Sequence, residues 1–215
     1  MFASLRPSSQ SFRLLARSFS ATPATCSHIG SAPIPLPPAV TVTPTPTDDI
    51  PELHTIQGPL GSMKLPIPAY LQLHHDEATQ KLKLTCDDTT VKKHRAMYGT
   101  TRALLFNHIT GVSEGHSITI RFVGVGYRGS LETSSAGKPF VSLRIGFANP
   151  VEMPVPEGIK VTFQVPTKCV LEGVDKQLIT QFAAKIRAWR KPEPYNQKGI
   201  FVGDETIEKK EIKRG

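Results

Sequence analysis

Twice along this chain the apolar residues change rhythm, from alternation to helical spacing, and that repeated switch limits the fold more than any composition figure. Residues 53–57 and 62–65 look like two short strands, and 70–75 and 81–85 alternate apolar and polar side chains. Alternation sends neighbouring side chains to opposite faces, so the latter two read as half-buried strands. The first two flank Gly58-Pro59-Leu60-Gly61, a turn sequence, and Ala39-Val40-Thr41-Val42 reads as a short edge strand before them. From residue 91 to 109 the period changes: Met97, Thr101, Leu104, Leu105 and His108 recur at helical spacing. Gly111 stands where such a helix is expected to stop. Gly99 lies inside it, at a cost of about 1 kcal/mol relative to alanine that close packing on a sheet would offset.

The order then restarts. Ile118, Ile120 and Phe122 alternate, and residues 127–133 and 140–147 read as strands joined by Ser134-Ser135-Ala136-Gly137. Asn149-Pro150 and Pro156-Glu157-Gly158 are breakers. Ile159, Val161, Phe163 and Val165 form the clearest strand, residues 168–172 form another, and Gly173 ends it. Asp175 is placed to cap a second helix, because its carboxylate can accept a free N–H of the first turn. Leu178, Phe182, Ile186 and Trp189 make that helix's expected apolar stripe, with Lys176, Lys185, Arg187 and Arg190 elsewhere. Strands grouped ahead of a helix, twice, predict an α+β fold: two similar tandem domains, each a small, mostly antiparallel sheet with one long helix packed on it. The expected division is residues 39–113 and 114–200. A Pro-rich extended segment, 20–38, precedes them, and a charged tail, 201–215, is expected to leave the globular body.

Residues 1–30 contain no Asp or Glu, and their only charges are Arg6, Arg13 and Arg17 among serines and phenylalanines. If helical, residues 10–20 set Phe12, Leu15 and Phe19 near one face and two arginines on another. An Arg-rich, Ser-rich, acid-poor amphipathic leader is the pattern of a mitochondrial transit peptide, expected over residues 1–19 and cleaved after Phe19. The formal charge of +8 then falls to +5 with the loss of those arginines. A basic excess of that size favours a polyanionic partner. No apolar run approaches the roughly 20 residues a membrane span needs.

Catalytic and metal chemistry find little support. Cys26, Cys86 and Cys169 are far apart, with neither zinc spacing nor a disulfide framework, and read as free thiols. His74 and His75 are strand neighbours pointing to opposite faces. Asp48-Asp49 and Asp87-Asp88 lie in turn-like segments. No nucleophile, base and orienter assemble, so no catalytic residue, metal ligand or cofactor is expected. Gly124-Val125-Gly126-Tyr127-Arg128-Gly129 matches the G-x-G-x-x-G fingerprint of nucleotide sites. That fingerprint works because a helix opens after the glycines and aims its free N–H groups at a phosphate. Here another strand follows, so the motif reads as a bent strand pair presenting Tyr127 and Arg128.

The densest functional signal is KIRAWRKPEPYNQKGIF, residues 185–201. Its helix ends in Arg187, Arg190 and Lys191, and the alternating prolines that follow force extension. Tyr195, Asn196, Lys198 and Gly199 then stand on a stiffened segment suited to RNA: cations neutralise phosphates, tyrosine stacks, and glycine admits the backbone. A solvated helix end followed by a stiff linker would have the same sequence.

Several separate words resemble the bacterial-type ribosomal large-subunit protein six family. They are VGVGYRG (123–129), RIGFANPV (144–151), VDKQLITQFAAKIRAWRKPEPY (174–195) and KGI (198–200), with GPLG (58–61) and TTRALLFNHITGVSEG (100–115) earlier. The resemblance spans roughly residues 34–210. It implies a structural, non-enzymatic protein with two domains, bound to large-subunit rRNA near the factor-binding region and stalk base, among neighbouring ribosomal proteins. With the leader, the expected location is the mitochondrial ribosome in the matrix. The implied rRNA contacts are Lys176, Arg187, Arg190, Lys191, Tyr195, Asn196, Lys198 and Gly199, with Tyr127 and Arg128 as further contacts. Asn196, Gln197 and Phe201 depart from the family pattern, which places a base, a small residue and another arginine there. The competing expectations are an RNA-binding module acting outside the ribosome and a small matrix nucleotide-binding protein using residues 124–129.

Overall fold

The computed structural model describes residues 29–45, 52–135 and 137–211. The leader, Cys26 and Asp48-Asp49 lie outside them. The first unit contains β1 (Ile34–Pro35), β2 (Thr41–Thr45), β3 (Glu52–Gly58), β4 (Gly61–Ile67), β5 (Leu71–Asp76), β6 (Lys81–Cys86) and the helix α1 (Lys92–Ser113). The second contains β7 (His116–Val123), β8 (Arg128–Thr133), β9 (Pro139–Arg144), β10 (Val151–Pro154), β11 (Ile159–Val165), β12 (Lys168–Gly173), α2 (Lys176–Trp189) and β13 (Gly199–Val202). Every described strand pairing is antiparallel. The sheet orders are β1-β6-β5 and β2-β3-β4 in the first unit, β10-β9-β8 and β11-β12-β7-β13 in the second. The fold is therefore α+β, two sheets and one long helix per unit.

Each helix closes a separate apolar core. In the first unit Leu105, Ile109 and Val112 of α1 are buried with Ile56, Leu65 and Leu84 of the strands. In the second, Ile179, Phe182, Ala183 and Ile186 of α2 are buried with Ile120, Leu171 and Ile200. Ile34 is fully buried and β1 pairs with β6, so the first sheet takes up chain ahead of Ala39.

Several local expectations are corrected. The helix α1 runs through Gly111 and stops two residues past it, where the Glu114 and Gly115 N–H groups both donate to the Thr110 carbonyl and Gly115 takes φ +83°. Gly111 is instead a contact residue: a Cβ there would come within 2.1 Å of the Val174 carbonyl oxygen. Gly99 has no atom within 4 Å of its would-be Cβ, so nothing in the structure explains it as a close-packing residue. Trp189 leaves the expected stripe and is exposed, while Ile179 and Ala183 complete it. The described part of the tail does not leave the body, because β13 continues to Val202 and residues 203–210 fold back over the second unit. Strands β1, β10 and β13 begin or end at prolines or glycine, which hid them from a reading by alternation.

The junction of the units is tight. Val174 packs against the first core. The Asn107 carbonyl lies 2.9 Å from His116 Nε2, and its side-chain oxygen accepts from Lys176 Nζ at 3.3 Å.

Two pairs of measurements check this packing. Gly111→Ala should destabilise by about 2 kcal/mol through overpacking against a backbone carbonyl, whereas Gly99→Ala should stabilise by up to about 1 kcal/mol; thermal melting of each separates them. Burial lowers the pKa of both His54 and His108, and the Nδ1 of each has no partner. Folding then favours their neutral forms, so this stability is full above the ordinary imidazole value of about 6.5 and is lost as pH falls below it. Urea midpoints at pH 7.5 and 5.5 should therefore fall with acid, and fall less in a His54→Gln/His108→Gln variant.

Candidate nucleic-acid interface

The second helix begins as expected: the Asp175 carboxylate accepts the Gln177 N–H at 2.8 Å. Its end is set by Pro192 and Pro194, since Arg190 already has φ −147° and ψ 83°, outside the helical region. The chain then makes a closed loop. The Glu193 N–H donates to the Lys198 carbonyl at 3.0 Å and the Gln197 N–H donates to the Glu193 carbonyl at 3.1 Å. Gln197 sits at φ +56°, in the left-handed region. Both ends of the loop are anchored, because the Ile200 N–H donates to the Arg190 carbonyl at 2.9 Å and β13 pairs with β7.

On this loop Arg190, Lys191, Tyr195, Asn196 and Lys198 are exposed together, Tyr195 by 48%. Gly199 is buried, and its smallness serves the fold: a Cβ would lie 2.5 Å from the Pro192 Cα. Lys176 stands apart at the opposite end of α2, about 20 Å away by helix rise, bonded to Asn107 at the junction. Arg187 is half-buried and forms a two-pronged pair with Glu205, one prong running from Nε to Oε2 at 2.8 Å. The Glu205 hydrogen bonds hold the Arg187 guanidinium pKa above its ordinary value, and Arg187 in turn holds the Glu205 carboxyl below the usual carboxylate range. Its charge is therefore already neutralised within the chain.

The glycine motif is a crossing between sheets, which corrects the bent strand pair. The strand β7 ends at Val123 and β8 begins at Arg128 in the other sheet, so no helix opens onto a phosphate. Tyr127 is 7% exposed and packs in the core, over Gly124 and against Gly146, so the turn does not present it. Arg128 is exposed and stands directly across from Arg144 on β9. Neither guanidinium has an acidic partner among the described residues.

Phe147 and Trp189 join this surface, although periodicity assigns Trp189 to the apolar stripe and Phe147 to a strand. Phe147 and Trp189 are 46% and 49% exposed and meet edge to face with centroids 6.4 Å apart. The Arg190 guanidinium lies 5.9 Å from the Phe147 ring centre, within reach of a cation–π contact. Two clues were available: Trp189 adjoins two basic residues at a helix end, and Phe147 precedes the Asn149-Pro150 break. The second unit thus carries exposed aromatic faces beside unpaired cations, a pairing that stacks bases and neutralises phosphates.

Among the described residues, reactive chemistry has no comparable site. Burial pushes the Cys169 thiol up to about 12, which leaves it unreactive. No cluster of His, Cys, Asp or Glu among the described residues could hold a metal ion, and no described helix is long and apolar enough to cross a membrane.

Comparison with known proteins identifies the family. The family model "Ribosomal protein L6" matches residues 123–203. "Large ribosomal subunit protein uL6m" of Neurospora crassa is 41% identical over 212 residues, covering 92% of this chain and 83% of that protein. "Large ribosomal subunit protein uL6" of Clostridioides difficile is 42% identical over 189 residues, covering 88% and 98%. The uL6 protein of Clostridium perfringens is 40% identical over the same length, covering 88% and 99%. With identity of this level running across both units, the chain belongs to the ribosomal protein L6 family.

Proposed function

We propose that this chain is a structural component of the large subunit of the mitochondrial ribosome, in the matrix, and that it holds large-subunit rRNA through its second unit, residues 114–200. The observation that supports this best is the surface of Arg190, Lys191, Tyr195 and Lys198, fixed at both ends of its loop and continuous with Trp189 and Phe147. Rigid cations position a phosphate backbone, and exposed aromatic faces accept unstacked bases. The proposed contact lies near the factor-binding region and stalk base, the position expected of a protein of this family. The work is binding without chemistry. Arg128 and Arg144 add a second pair of charges. Like charges directly opposite on a sheet repel, and a phosphate between them would remove that cost.

A nucleotide-binding role for residues 124–129 has no geometric support, because the Tyr127 ring fills the space over Gly124 and a strand follows. The loss of family charges at Asn196 and Phe201 is local: Asn196 is exposed, while Phe201 is buried with the Arg121 guanidinium 5.7 Å from its ring centre.

Sedimentation of a mitochondrial lysate at low magnesium and modest salt should place the chain with the large subunit, stoichiometric with its rRNA; a chain left at the top of the gradient would sink the ribosomal reading. RNA association persisting without ribosomes would indicate a role outside them. Lys191→Ala and Lys198→Ala should each weaken rRNA binding and flatten the salt dependence by about one phosphate contact. Trp189→Ala should cost about 1–3 kcal/mol of affinity by lost stacking without lowering the melting temperature. Asn196→Lys should leave assembly unharmed, and a clear assembly defect would show that a partner has adapted to the asparagine.

A further inference from the structure

The loop proposed to meet RNA is not held by its own residues alone. Residues 203–210 run back across it and tie to it at several separated points. The Lys210 N–H donates to the Pro194 carbonyl at 3.0 Å, inside the loop. Gln197 Nε2 donates to the Ile207 carbonyl at 2.8 Å. At the root, Glu205 takes both prongs of Arg187 on α2. An Arg121 NH2 group, on β7, donates to the Gly203 and Glu205 carbonyls at 3.4 and 3.0 Å. One acidic side chain thus connects the strap to the helix from which the loop departs, and its backbone connects to β7, the strand against which β13 pairs at the loop's return.

We propose that residues 203–210 are a strap that holds the 190–198 loop in its binding shape, and that Glu205 and Gln197 are positioning residues for RNA recognition. The proposal rests on the reading of that loop as an RNA surface. Two observations point beyond ordinary tail packing. First, Glu205 is an acid placed under a surface that attracts polyanions, where it cancels a cation and would lower affinity if charge were all that mattered. Its gain is geometric: a bidentate pair fixes direction as well as distance. Second, Gln197 keeps a left-handed backbone that glycine would adopt without strain, and its side chain is spent on the strap. A loop held in advance loses less freedom on binding.

The test uses the full chain and two RNA probes, a transcript of the large-subunit rRNA and poly(U). Glu205→Gln keeps the side chain's size and removes its charge. Charge counting alone predicts tighter binding to both probes. The strap predicts rRNA binding weakened roughly tenfold by lost preorganisation, poly(U) binding held or strengthened, and faster hydrogen exchange at the Glu193 and Gln197 amides. Unchanged or tighter rRNA binding in Glu205→Gln, with unchanged exchange, overturns the proposal. If that variant does not fold, Gln197→Gly decides. It relieves the left-handed residue and cuts the Ile207 tie, so melting should hold or rise while rRNA affinity falls; unchanged affinity overturns the strap. A wild-type chain that binds rRNA no better than poly(U) overturns the RNA reading itself, and the strap's role with it.

Discussion

Strand β7 is the member on which the second unit hangs. It pairs with β12 along one edge and β13 along the other, and α2 lies across it. Ile120 and Phe122 face the core from this strand, where Phe182, Ile186 and Ile200 meet them. The β12 ladder covers residues 116–121 and the β13 ladder residues 120–123, so the strand is paired on both sides where Ile120 enters the core, as a buried segment requires because an unpaired polar group away from water is costly. The binding loop owes its place to this arrangement, because it leaves at the end of α2 and returns at Gly199, opposite Val123. Everything exposed on the loop is therefore referenced to a rigid sheet.

The electrostatics are more selective than the net charge suggests. Arg187 and Arg121 are engaged inside the protein, one by a carboxylate and the other by carbonyls and an aromatic ring. Lys176 is exposed at the junction and donates to the neutral Asn107 amide, so it keeps its charge but stands apart from the loop. The cations left for a partner include those on the loop and the arginine pair on β8 and β9, which have no acidic partner among the described residues. A sequence count treats all of these alike, because charge is legible in one dimension and neutralisation is not.

The fold was largely legible. Strand-like runs identified β3 to β9, β11 and β12 in outline, and the two helical stretches fell where α1 and α2 stand. Asp175 acts as the cap that its position implied. What escaped depends on contacts between distant residues. Gly111 looked like a stop signal because the Val174 carbonyl it touches is 63 positions later, counted from their numbers in the sequence. Tyr127 looked presented because nothing local shows that Gly124 and Gly146 make room for its ring. Trp189 sits one turn beyond Ile186 and fits the stripe by number, yet it is exposed and meets Phe147 at the surface. The basic segment was visible; its aromatic companion Phe147 belonged to another element altogether.

The contact at Gly111 has a mechanical side. With no side chain between α1 and the Val174 carbonyl, the two units meet backbone to backbone, and Val174 itself is seated in the first core. Such a joint has little slack to bend, since interiors packed at this density transmit displacement and do not absorb it. The chain then behaves as a strut and not as a pair of beads on a string. Fixing its far end sets the bearing of the whole first unit, so a surface on β2 or β5 can be aimed by a grip made elsewhere.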